Sequence, residues 1–185
     1  DELVQFQFYE SQRHDVQVSF VEPTSKQALY NLQTMAGVQR VEPVRQVAAT
    51  MRVGHRERRV GLTGLATEGQ LLRVMDRERG QLALPERGLI ISEKLAELLH
   101  VRPGQRVAVD VREGERPRAR LMIIDIVNDS AGTNAYLRLS ALHDLMREGD
   151  TLTGAYLAVD SNKQQTLYRE LKRTPRVASV SVKEA

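Results

Sequence analysis

From residue 15 to residue 21 apolar and polar side chains alternate. Val16, Val18 and Phe20 fall on one face, Gln17 and Ser19 on the other. A period of two marks a half-buried strand, and Pro23 is expected to end it. Thr24 or Ser25 then offers an N-cap for a helix running to about Met35, with Ala28, Leu29, Leu32 and Met35 on one face. Gly37 suits the end of that helix, where a left-handed residue is wanted. A short strand at 38–41 follows, and after Pro43 another at 44–53. The same order of elements returns near the other end. Residues 155–159 form a strand, Asp160, Ser161 and Asn162 offer caps, and 164–173 a helix with Leu167, Tyr168 and Leu171 on one side. Pro175 stops that helix, and 177–182 is a valine-rich strand. Leu29-Tyr30 superposes on Leu167-Tyr168, and Val38-x-x-Val41 on Val177-x-x-Val180 after a one-residue gap. Two βαβ copies far apart predict a split α/β unit that closes on itself, with the middle of the chain inserted between its halves.

The middle has a different rhythm. Residues 59–65 form a strand, and Thr67 is placed to cap a short helix with Leu71, Leu72 and Met75 inward. Residues 88–91 are a short apolar strand, after which Ser92 caps a helix with Leu95, Leu98 and Leu99 as its core stripe. Residues 101–105 make a tight turn around Pro103-Gly104. Val107, Val109 and Val111 alternate with polar or small neighbours in the next strand, 113–117 is a hairpin loop, and 119–127 returns. The run Leu121-Met122-Ile123-Ile124 predicts that this returning strand is buried on both faces. A polar loop occupies 128–134, and Ser140 caps a last helix with Leu142, Leu145 and Met146 inward. The fold class expected is α+β. An α/β subdomain is expected from residues 1–53 and 151–185, with residues 54–150 forming an inserted β-rich subdomain with short helices.

Composition narrows the picture only a little. The chain has 185 residues, of which 41% are hydrophobic and 28% charged, so it can bury one good core and is not disordered. No cysteine is present, which removes disulfides and thiolate metal sites. No apolar run reaches the length of a membrane span. The first residue is Asp, so the chain is read as a fragment of something larger. Lys and Arg number 27 against 24 Asp and Glu. The signs are interleaved, as in Arg56-Glu57-Arg58-Arg59 and Arg112-Glu113-Gly114-Glu115-Arg116, which spreads the potential out. With five Tyr, three Phe and no Trp there is little for bases to stack on, so nucleic acid is not an expected partner.

The search for reaction chemistry is negative. His14, His55, His100 and His143 have no metal-binding spacing, and the phosphate-loop, dinucleotide and nucleophile-elbow motifs are missing. Gly61 and Gly64 are assigned to a strand bend, and Arg52, Arg56, Arg58 and Arg59 to a solvated strand face. No catalytic, cofactor-binding or metal-binding residue is assigned, and no cofactor is expected. The chain is read as a binding or coupling domain rather than an enzyme.

The stretch Gly88-Leu-Ile-Ile-Ser-Glu-Lys-Leu-Ala-Glu-Leu-Leu-His-Val-Arg-Pro-Gly-Gln-Arg-Val-Ala-Val109 resembles the strand–helix–turn–strand signature of extracytoplasmic domains in FtsX-like, MacB/LolC-type ABC transporter permeases. Met35-Ala-Gly-Val-Gln-Arg-Val41, Ile123-Ile-Asp-Ile-Val-Asn-Asp129, Ala135-Tyr-Leu-Arg-Leu-Ser-Ala-Leu142 and Arg173-Thr-Pro-Arg-Val177 resemble further parts of that family in the same order. Gln105 departs from the pattern, which favours an acid after the glycine.

The resemblance implies a porter-like subdomain from the chain ends and an inserted sabre-like one. It implies a non-catalytic periplasmic role at the bacterial inner membrane, relaying ATP-driven motion in lipoprotein release, efflux or related export. The partners implied are a cytoplasmic ATPase subunit or domain, a second permease copy, and a periplasmic adaptor or lipoprotein. The candidate partner surface is the inserted subdomain with its polar loop: Asn128, Asp129, Ser130, Thr133 and Asn134. A membrane-tethered ligand-sensing domain and a soluble α+β hydrolase stand as alternatives.

Overall fold

The structure is a computed structural model that describes residues 13–183 apart from 68, 70, 130 and 131. In chain order its elements are β1 (Arg13–Ser25), α1 (Gln27–Gln33), β2 (Val38–Val53), β3 (Arg56–Leu65), β4 (Val74–Asp76), β5 (Gly80–Leu82), β6 (Leu89–Ser92), α2 (Glu93–Leu99), β7 (Arg106–Val111), β8 (Arg118–Val127), β9 (Asn134–Arg138), α3 (Leu139–Met146), β10 (Thr151–Asp160), α4 (Gln164–Lys172) and β11 (Val177–Lys183), with a 3-10 turn at Ser161–Lys163. The chain divides into two compact units. The first takes Asp1–Val44, Gly69–Leu72 and Asp150–Ala185; the second takes Arg45–Glu68 and Arg73–Gly149.

In the first unit the strands lie in the order β11-β1-β10-β2, each antiparallel to its neighbour. The two βαβ copies, β1–α1–β2 and β10–α4–β11, therefore interleave, as the split repeat predicts. Inward side chains alternate along each strand. Val16, Val18, Leu157, Val159 and Val180 meet Leu32, Leu167 and Leu171 of the two helices in one core. On the other face Val44, Tyr156 and Ala158 are covered by Leu71 and Leu72. Glu42 fixes that cover, since its Oε1 accepts from the Leu71 amide at 2.9 Å. The first strand enters beside the last one leaving, with Asp15 opposite Lys183.

Two prolines do less than the sequence suggests. β1 does not stop at Pro23 but runs on to Ser25, through a stretch where Ser19 faces Gly154 and Thr24 already faces Leu152. Pro23 falls among the residues looped out between those pairs, where no ladder amide is needed. Thr24 and Ser25 thus end a strand, and α1 starts after Lys26 with no side-chain cap. Likewise β2 is one 16-residue strand straight through Pro43. Within the first unit it lies at the sheet edge, where a missing amide is tolerated.

Gly154 marks the closest approach of β10 to β1: a Cβ there would sit 2.5 Å from the Val18 carbonyl oxygen. A backbone atom cannot swing aside as a side chain can. Gly154→Ala is expected to cost about 2 kcal/mol in urea unfolding, while Gly61→Ala, with open space around it, serves as the near-neutral control. Equal stability of the two variants would remove this account.

The second unit is a six-stranded barrel. β2 pairs with β3, β3 with β9 in parallel, β9 with β6, β6 with β8 in parallel, β8 with β7, and β7 back onto β2. Closure pairs each of the six on both sides over part of its length. Met51, Leu62, Leu89, Ile91, Val107, Val109, Ile123 and Leu137 fill its core, joined by Leu95 and Leu99 of α2 and Leu142 and Met146 of α3. β7 alternates as its valines predict.

Three expectations are corrected here. The helical stripe expected after Thr67 is not found: Leu71 and Leu72 lie in no helix and Met75 lies in β4, whose hairpin with β5 turns on Asp76. Ser140 lies inside α3, because β9 runs directly into the helix and Arg138 takes the N-cap position. β8 is buried on one face only: Ile123 is fully buried, whereas Met122 and Ile124 are 36% and 41% exposed.

Candidate partner-binding site

The polar loop joins the end of β8 to the start of β9, and the second unit holds it from both ends. At its start the Asn128 amide donates to Asp76 Oδ2 at 2.9 Å, and the Asn128 carbonyl accepts from the Arg77 amide at 2.9 Å. At its end the Asn134 amide donates to Ser92 Oγ at 2.9 Å, and that hydroxyl donates to the Gly132 carbonyl at 2.7 Å. Ser92 sits at the N-cap position of α2 but makes no capping bond there; its hydroxyl is spent on the loop. Asp129 accepts from Tyr136 Oη at 2.9 Å and from Asn134 Nδ2 at 3.4 Å. Thr133 is half-buried. Ser130 lies outside the described residues. Of the five candidate residues the structure thus brings Asp129 and Asn134 together directly and anchors Asn128 through its backbone.

The anchor is Asp76. Beyond Asn128, its Oδ1 accepts from the amides of Glu78 and Arg79 at 2.9 and 3.0 Å, closing the β4–β5 turn. The amides of Asn128 and Arg79 do most to favour the charged form, and they carry its pKa down to about 2 against the opposing effect of burial. Arg79 then clips the turn to β8. Its guanidinium reaches both oxygens of Asp125, at 2.9 and 3.2 Å, and the Ile126 carbonyl at 2.7 Å. That contact lowers the pKa of Asp125 and raises that of Arg79. Sequence reading missed Asp76, Arg79 and Asp125. The signal was Asp76 three residues before Arg79-Gly80, an Asp-initiated turn; nothing in the sequence pointed to the partner across β8.

A second polar cluster lies elsewhere in this unit. Arg45 of β2 is fully buried and grips Glu148 through Nε at 2.7 Å and Glu113 through Nη2 at 2.5 Å. The other sequence candidates are accounted for locally. Gly64 lets α3 lie against β3, since a Cβ there would come within 3.2 Å of the Leu139 Cα. Arg52 pairs with Asp110, and Arg58 and Arg59 are exposed near the β2–β3 turn. His55 occupies that turn, and His100 is the left-handed residue that ends α2. The His14 side chain lies outside the described residues. Among the described residues no three His, Cys, Asp or Glu side chains converge on a point that could hold a metal, and no helix is long and apolar enough to cross a membrane.

The fold, a split βαβ unit with a β-rich one inserted, is similar to that of extracellular and periplasmic domains of two ABC-type transporters, YknZ and MacB. The extracellular domain of the noncanonic ABC-type transporter YknZ from Gram-positive bacteria superposes with a TM-score of 0.60 at 13% identity, covering 93% of this chain and 100% of that one. The periplasmic region of MacB from Actinobacillus actinomycetemcomitans superposes with a TM-score of 0.55 at 13% identity, covering 92% and 88%. No family model matches the sequence, and no curated protein is similar enough in sequence to count as a relative.

Proposed function

We propose that this chain is the extracytoplasmic domain of a bacterial ABC transporter permease, with the first unit as its porter-like part and the second as its sabre-like part. The observation that carries the reading is the likeness of fold to the YknZ and MacB domains along more than nine-tenths of the chain. The pairing of Asp15 with Lys183 supports it, because chain entry and exit side by side suit two neighbouring membrane helices. In this role the domain does no chemistry. A cytoplasmic ATPase drives the membrane helices, paired permease copies move with them, and the domain passes that motion to an adaptor, lipoprotein or cargo outside. The loop carrying Asn128, Asp129, Ser130, Thr133 and Asn134 is the proposed contact, tied to the second unit at Asn128 and at Asn134.

These 185 residues contribute no cysteine of their own to compete for a label, and any cysteine elsewhere in the protein is replaced by serine for the test. A spin label at Thr133→Cys in the full-length protein, reconstituted in vesicles with its ATPase, reports the distance between two copies. ATP with vanadate is expected to shift that distance relative to the nucleotide-free state. An unchanged distance under active ATP hydrolysis overturns the relay.

A further inference from the structure

The outer face of β8 from Arg118 to Ile124 is open to solvent among the described residues. Met122 and Ile124 are the large hydrophobic residues left exposed in the second unit among the described residues. Ile124 follows Arg118, Arg120 and Met122 on the outer face by the strand's own alternation, with Ile123 between them fully buried. A bulge sets in there: Leu89 of β6 faces Ile123 and the next residue, Ile90, faces Asp125, so Ile124 is opposite no residue of β6. Gly88 makes room for the result. Its φ is +92°, and a Cβ on it would lie 2.7 Å from Ile124 Cγ1 and 2.8 Å from the Met122 carbonyl oxygen.

The surroundings are cationic. Arg106 lies directly across from Met122, and Arg120 and Arg118 follow on the same face of β8; all three are exposed. Asp110 of β7 is already engaged by Arg52 at 2.5 Å and lies 3.8 Å from Arg118, so the arginines are in excess. β7 pairs with β8 along this stretch and with β2 over 108–111, and β8 pairs with β6 from Ile123 onward, so the outer side chains are the surface offered to a partner.

We propose that this face docks an acidic protein segment that sets an apolar side chain between carboxylates. Arginine forks match carboxylates in pairs, and the Met122–Ile124 patch supplies a dry contact between them. A membrane surface is the poorer fit, because the apolar residues lie flush on a strand and no aromatic flanks them. The inference does not depend on the transporter reading.

The probe is a capped synthetic peptide alternating Glu with Leu, with a Lys-for-Glu peptide as its counterpart, titrated into the 185-residue protein while methyl resonances are followed by NMR. The acidic peptide is expected to shift Met122 and Ile124, to weaken at least about tenfold with Ile124→Ser and with Arg106→Glu plus Arg120→Glu, and to weaken severalfold between about 50 and about 500 mM salt. Equal binding of the basic peptide, shifts confined to other methyls, or indifference to the charge reversals overturns the proposal. So does cosedimentation with phosphatidylglycerol vesicles that Ile124→Ser abolishes, which assigns the face to a membrane. A dimer that the same substitution dissolves overturns it in favour of a second copy.

Discussion

Replacing Arg45 with alanine is expected to lower the unfolding free energy by about 4 kcal/mol. The side chain is 2% exposed and joins three distant parts of the second unit. Its Nε and Nη2 reach the two oxygens of Glu148, beyond α3, at 2.7 and 3.2 Å. Nη2 also reaches Glu113 at the β7–β8 turn, and Nη1 donates to the Gln46 carbonyl at 3.2 Å. Burial works against the charge, but its hydrogen bonds to Glu148 and Glu113 more than offset it and hold the pKa above the usual arginine value. Removal leaves two carboxylates facing each other over a cavity. Arg45→Lys is expected to recover less than half, since an ammonium cannot fork to both. Glu113→Gln is expected to cost about 1 kcal/mol, because Glu113 is 39% exposed and already shares its charge with water. Urea unfolding measures all three, and an alanine variant within about 1 kcal/mol of the parent would falsify the clamp.

Asp76→Ala is expected to cost about 3 kcal/mol, because three backbone amides lose a charged acceptor at once. The pH dependence separates charge from shape. The folded pKa, about 2, lies below the unfolded value of 3.8. The contribution is therefore fully present above the unfolded pKa and disappears as pH falls through the folded one. Melting temperature of the parent should fall between about pH 4 and about pH 2, and Asp76→Asn should flatten part of that limb. Asp125, whose pKa Arg79 also lowers, keeps the remainder. Parallel curves for the two proteins would sink the assignment. Loosening of the 128–134 loop in the same variant, seen as faster amide exchange at Asn134, follows from the shared anchor.

The interleaved βαβ copies were legible because their apolar residues keep strict periods, two in the strands and near 3.6 in the helices. The valines of β7 and the leucines of α2 were legible for the same reason. What failed was context. Pro23 and Pro43 are strand breakers in a sheet interior but harmless in a looped-out stretch and at an edge. Ser92 and Ser140 look identical as caps; one is spent on a loop and the other lies inside its helix. The run at 121–124 is apolar throughout and carries no mark of which strand face is left open. Closure of the barrel was invisible as well, since β3–β9 and β6–β8 are parallel pairings between distant residues that no local pattern encodes. Of the proposed contact loop, position and polarity were readable; its anchor, Asp76 more than fifty residues earlier, was not.

The pairing of Asp15 with Lys183 has a mechanical consequence. Antiparallel ladder bonds run perpendicular to the strands. A load that draws those two points apart acts along the bonds and peels β11 from β1 one rung at a time, the weakest way to load a sheet. A load applied to both in the same direction puts no strain on the ladder and carries the unit as a body. Whatever grips the two strand ends must therefore keep them together, and a linker that let them spread apart would unzip the last strand before transmitting any push.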